Sequence, residues 1–158
     1  MRDLSRLFRG MPRHAALVGM VWLAASPTLS HAQSTQWTWT LYRDSGPMVL
    51  AREIPDTPRL DATLECDAGS GQVELKLYKA PNLSSGPGSV RALRQSANTI
   101  VTKRRDHTSA TVSSDHPVFQ AFMASGQLEI TQPTGSATLT VEAPHLNKLR
   151  QFGEACSR

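Results

Sequence analysis

Apolar and polar residues alternate along much of this chain, most cleanly over Leu60–Tyr78. Leu60, Ala62, Leu64 and Cys66 share one parity, with Asp61, Thr63 and Glu65 on the other. After Asp67-Ala68-Gly69-Ser70-Gly71 the alternation resumes, with Val73, Leu75 and Leu77 set against Glu74, Lys76 and Tyr78. Period-two patterning on both sides of a glycine-rich turn predicts a half-buried β-hairpin.

The same pattern recurs at lower contrast elsewhere. Trp37–Tyr42 alternates strictly and predicts a first strand with Trp37, Trp39 and Leu41 on one face. Paired tryptophans can form a sugar-stacking platform, but their sharing a face with Leu41 favours core packing for both. Arg43–Pro47 reads as a turn, Met48–Ile54 as a second strand, and Pro55 and Pro58 as its terminators. Ala80–Gly88, rich in Pro, Gly and Ser, reads as an exposed loop. Ser89–Gln95 fits either a strand or one helical turn, while β-branched Thr99–Thr102 and Thr108–Ser113 read as strands around a polar tip, Lys103–His107.

The period changes at Ser114. Pro117 suits the first position of a helix, with Asp115 or His116 as its cap, and Val118, Phe119, Phe122 and Met123 form an apolar stripe that Gly126 ends. Leu128–Thr131 and Thr138–Glu142 flank a Gln132–Gly135 hairpin turn. Pro144 opens a second helix, on which Leu146, Leu149, Phe152 and Cys156 form one inward stripe. Eight or nine short strands and two short helices predict an α+β fold that is mainly β: an antiparallel sheet or sandwich, with the second helix C-terminal.

Residues 1–32 change the reading of charge and compartment. Arg2, Arg6, Arg9 and Arg13 precede the apolar run Ala15–Ala25, and Ser30-His31-Ala32 ends in the small residues that signal peptidase reads. The run is too short for a span, which needs about 20 apolar residues, so residues 1–32 are expected to be a cleaved signal peptide and 33–158 a single domain. The leader holds four of the 17 basic and one of the 13 acidic side chains, which leaves 13 against 12. With that near-balance no general attraction to nucleic acid remains. A periplasmic or secreted location follows, with no membrane span after cleavage. Two cysteines in an exported chain predict a Cys66–Cys156 disulfide, against the alternatives of two free thiols or a redox pair.

Candidate chemistry is sparse. No nucleophile elbow, His-Glu-x-x-His or phosphate-binding glycine loop occurs, and Ser70 sits in a hairpin turn. No catalytic residue, cofactor or metal ligand is assigned. Lys103, Arg104 and Arg105 could bind an anionic ligand, although a solvated hairpin tip also explains them. Asp106-His107 and Asp115-His116 could hold zinc if folded together, which gives the alternative of a small metal-dependent periplasmic hydrolase using His107 and His116. A further alternative is an inhibitor of a secreted enzyme that inserts Ala80–Gly88. The reading preferred over both is a non-enzymatic binding or envelope-accessory domain for a protein or glycan ligand, with function in the Arg43–Pro47 turn, the Ala80–Gly88 loop and the basic tip.

Cys66-x-x-Gly69-Ser70-Gly71, the Asp115–Phe122 pattern Asp-x-Pro-Val-x-x-Ala-Phe, and Phe152-x-x-x-Cys156, taken with the leader, resemble uncharacterised small periplasmic proteins of alphaproteobacteria. That resemblance spans most of residues 60–158. It implies the compartment and the disulfide and brings no functional residues with it.

Overall fold

The computed structural model describes residues 36–44 and 46–157. The expected signal peptide lies outside the described residues. Nine strands form one antiparallel sheet: β1 (Thr38–Tyr42), β2 (Met48–Glu53), β3 (Leu60–Cys66), β4 (Gln72–Leu77), β5 (Gly86–Ala92), β6 (Gln95–Lys103), β7 (Thr108–Ser113), β8 (Gln127–Gln132) and β9 (Gly135–Thr140). Their order across the sheet is β1-β2-β3-β4-β7-β6-β5-β8-β9. The α+β, mainly-β class is as expected; of sheet or sandwich, it is one continuous sheet bent into a half-barrel.

Two long connections explain this order. After β4 the chain passes through residues 78–85 to reach β5, then returns through β6 and β7 to pair with β4. From β7, helix α1 (Pro117–Ser125) carries it back across β5 and β6 to β8. A 3₁₀ turn (Ala143–His145) and helix α2 (Leu146–Cys156) follow β9, and α2 packs on β1, β2 and α1.

The opening hairpin pairs as its alternation predicts, with Ala62 opposite Leu77 and Leu64 opposite Leu75. Its inward residues join Trp39, Leu50, Val90, Val101, Leu128 and Ile130 on one face, against Phe119 and Phe122 of α1 and Leu149 and Phe152 of α2. Burying a side chain of this size contributes roughly 1.5–3 kcal/mol relative to exposure. The helices cross closely at Gly153, where a Cβ would meet Met123 Sδ and Phe119 Cε1.

Both helix ends follow their sequence signals. His116 caps α1, its Nδ1 accepting from Val118 N at 3.1 Å. Gly126 ends the helix in the left-handed region at φ 73°, its N–H donating to Phe122 O. Pro144 falls within the 3₁₀ turn, so α2 begins at Leu146, later than the proline suggests.

The expected disulfide is present: Cys66 and Cys156 are both buried and joined, with 5.9 Å between their Cα atoms. The Asp67–Gly71 turn also serves α2 directly. Gly69 N donates to Ala155 O at 3.1 Å and Gly71 N to Cys156 O at 2.9 Å, satisfying carbonyls that a helix end leaves open.

Two local readings are settled. Of strand or helical turn, Ser89–Gln95 follows the strand: it holds the end of β5 and a two-residue turn in which Leu93 takes φ 52°, because a tight hairpin demands positive φ whatever residue occupies it. Ala80–Gly88 is not an open loop either. Gly86–Gly88 belong to β5, and Ala80 and Leu83 are core residues.

Candidate ligand cleft at the mouth of the half-barrel

The strand directions collect the connections into two sets. At the disulfide end lie the 43–47 and 67–71 turns, the 93–94 turn and the start of α1. At the other end, the mouth, lie Trp37, the 54–59 turn, residues 78–85, the 103–107 tip and the 133–134 turn.

A cleft of about 360 Å³ opens at the mouth. Ser136–Thr140 of β9 form one wall, and Arg52, Asp61, Ala62, Leu77 and the Lys79–Asn82 segment form the other. The volume falls within the roughly 300–1,000 Å³ of ligand pockets. Its lining mixes Ala62, Leu77, Pro81 and Leu139 with cations, a carboxylate and the polar residues Ser136, Thr138 and Thr140.

Beside this cleft the two tryptophans separate. Trp39 is fully buried, its indole Nε1 donating to Glu142 Oε2 at 3.0 Å. Trp37 is only half-buried, which corrects the expectation of core packing for both: it precedes the first paired residue of β1, where the inward face has run past the end of the core. Its ring gathers Lys79 Nζ at 4.7 Å, the Arg59 guanidinium at 5.4 Å and that of Arg52 at 5.8 Å. Each such contact is worth about 0.5–1 kcal/mol where water has access. Arg52 also bonds Asp61 and Glu142, while Lys79 Nζ lies 3.5 Å from Asp61. Among the described residues Arg59 makes no ion pair. Three cations thus face two carboxylates. No local signal in the sequence marks this group, because its members lie on four different segments.

A smaller groove of about 220 Å³ adjoins the cleft and is lined by Tyr78, Lys79, Pro81 and the whole 103–108 segment, so the predicted basic tip lies at the mouth. Its three cations do not act alike. Lys103 turns back and donates from Nζ to Leu83 O at 2.9 Å, Pro81 O at 3.0 Å and Ala80 O at 3.5 Å. This ammonium organises the 78–85 connection, and it explains why a Pro- and Gly-rich segment is held against the core. Arg104 and Arg105 remain exposed to solvent.

His107 packs its ring 5.8 Å from that of Tyr78 and bonds Asp106 Oδ1 through Nδ1 at 3.0 Å. The carboxyl of Asp106 is held below its ordinary value, first by its own backbone N–H and then by His107, with slight burial opposing. His116 is at the far end of β7, roughly 20 Å away at strand spacing, with Nδ1 committed to its helix cap. The pairing of Asp106-His107 with Asp115-His116 at one metal is therefore corrected: strand β7 holds the two pairs at opposite ends of the sheet.

The remaining candidates have plain positions. Ser70 is a turn residue whose Oγ donates to Gln72 O. The Arg43–Pro47 turn lies at the disulfide end, where Arg43 donates to Gln151 of α2 at 2.6 Å. Among the described residues no helix is long and apolar enough to cross a membrane. The chain matches no protein-family model, no curated protein and no solved structure at a significant level.

Proposed function

We propose that this chain is a non-enzymatic binding or envelope-accessory domain of the periplasm or secreted fraction, which takes its protein or glycan ligand in the mouth cleft. One observation carries the reading: the half-barrel stays open between β9 and β3–β4, and beside that opening stands the group of Arg52, Arg59 and Lys79 around Trp37. Mouths of β-barrels are recurrent ligand sites, and the surplus of positive charge favours an anionic ligand. The buried disulfide supports an oxidising compartment, as do the leader pattern and the resemblance to small periplasmic proteins of alphaproteobacteria. The hydrolase alternative loses its shared histidine site, and the inhibitor alternative loses its protruding loop, since Lys103 ties residues 80–83 down.

The test is amide shift mapping on the isotopically labelled, exported protein titrated with fractions of its native envelope. Perturbation is expected at the amides of residues 37, 62, 79, 80, 82 and 136–140. Shifts confined to the disulfide end, or no shifts with any fraction, would refute the assignment.

A further inference from the structure

The two edges of the sheet are treated differently. The β1 edge is covered, with α2 packed along it and Lys148 Nζ donating to Trp39 O at 2.5 Å. The β9 edge is open to the cleft. Strand β9 pairs with β8 alone, and its residues Ser136–Thr140 line the cavity in unbroken succession.

The phase of that edge follows from the turn. In an antiparallel pair, alternate residues bond the neighbour strand and the others point away. Gln132 and Gly135 close a two-residue turn, so they must exchange bonds with each other. The same phase is carried to the far end of the hairpin by Val141 N, which donates to Gly126 O at 2.7 Å. Gly135, Ala137 and Leu139 therefore bond β8, while Ser136, Thr138 and Thr140 direct N–H and C=O into the cleft. Exposed edges are commonly protected by charge, proline or a bulge. β9 reads Gly-Ser-Ala-Thr-Leu-Thr, with regular register and neither charge nor proline.

We propose that the ligand of the mouth cleft is an extended acidic peptide that adds a further strand along β9, its carboxylates meeting Lys79 and Arg52 on the facing wall, with Arg59 beside them on the Trp37 ring. The inference rests on the binding reading of that cleft and names the ligand class. A peptide strand supplies N–H and C=O groups at the repeat of about 6.8 Å per two residues that β9 presents, and main-chain pairing of this kind is a general mode of peptide capture. Lys79, its side chain 63% exposed, and Arg59, with no ion pair among the described residues, are the cations free to meet its acids.

The experiment measures fluorescence anisotropy of a dye-labelled heptapeptide of alternating glutamate and valine with the exported protein. Saturable binding is expected, weakened about tenfold or more when alternate peptide nitrogens are methylated, as loss of two or three strand hydrogen bonds requires. Thr138→Pro should weaken it similarly, because the ring removes a cleft-facing N–H and leaves the β8 ladder whole. Lys79→Glu should reverse the preference towards a lysine–valine peptide. No saturable binding, or equal binding of the methylated peptide, overturns the proposal; the methylated arm leaves the protein untouched, so it decides even where Thr138→Pro misfolds. Oligogalacturonate is titrated in parallel as the glycan probe. If it shifts the 136–140 amides while the peptide does not bind, strand addition fails and the cleft reading stands. If neither probe shifts them, strand addition fails, and the envelope titration separately decides the cleft reading.

Discussion

The two ends of this half-barrel are built from the same kinds of turn, yet one is sealed and the other open. At the disulfide end, the 67–71 turn is joined to α2 by a covalent bond and two backbone hydrogen bonds, and Ser114 N donates to Gly71 O at 3.0 Å. Arg43 adds a side-chain bond to Gln151 of α2. At the mouth no covalent tie is present among the described residues: Lys103 holds three carbonyls, the Gln132 side chain bonds Ser84 N, Gly86 O and Pro87 O, and Arg52 and Lys79 meet Asp61. The ion pairs among these are individually weak and sensitive to salt. The difference assigns the covalent tie to one end and the proposed ligand site to the other.

The largest test of that contrast is removal of the bridge. Cys66 and Cys156 are separated by 90 positions, and the chain-entropy model gives about 4–5 kcal/mol for a loop of this size. Reduction, or the Cys66→Ala/Cys156→Ala pair, is expected to lower the denaturant midpoint by a corresponding amount. Hydrogen exchange should rise first at Gly69 and Gly71, whose N–H groups serve the end of α2. An unchanged midpoint would remove the distinction between the two ends.

Lys103→Met should cost less, about 1–2 kcal/mol, because its charge-assisted bonds are partly exposed to water. Faster exchange is expected for Ala80, Asn82 and Leu83, with Gly69 and Gly71 unaffected. If the loss instead spread evenly over the molecule, the mouth would not be a separately held region. The smallest effect concerns pH. The lowered folded pKa of Asp106 means that its contribution is complete above the unfolded value of 3.8 and is lost as pH falls through the folded value. A carboxyl titration by NMR should therefore place its midpoint below that of an unstructured aspartate, and His107→Ala should move it upward. A midpoint unmoved by His107→Ala would remove the histidine from the organisation of the tip.

Much of the fold was legible because its signals are local. The Leu60–Tyr78 alternation, the Pro117 start and Gly126 stop of α1, and the inward parities of Cys66 and Cys156 each rest on a few neighbouring residues. The misreadings share a cause. Ala80–Gly88 has loop composition, yet it is held by an ammonium 20 or more positions away. Trp37 obeys the parity of Trp39, but parity carries no information about where the core ends. The cleft was illegible for the same reason, since Arg52, Lys79 and Ser136–Thr140 become neighbours only when the sheet curves.

The sequence by itself determined most of the elements and inward faces, the bridge and the mainly-β class, because period, capping and parity act over a few residues. The tertiary structure decided the strand order, the single curved sheet, the separation of His107 from His116 and the open β9 edge facing a cationic wall. Those properties arise from pairing between distant strands, and the curvature of one sheet sets which distant side chains meet.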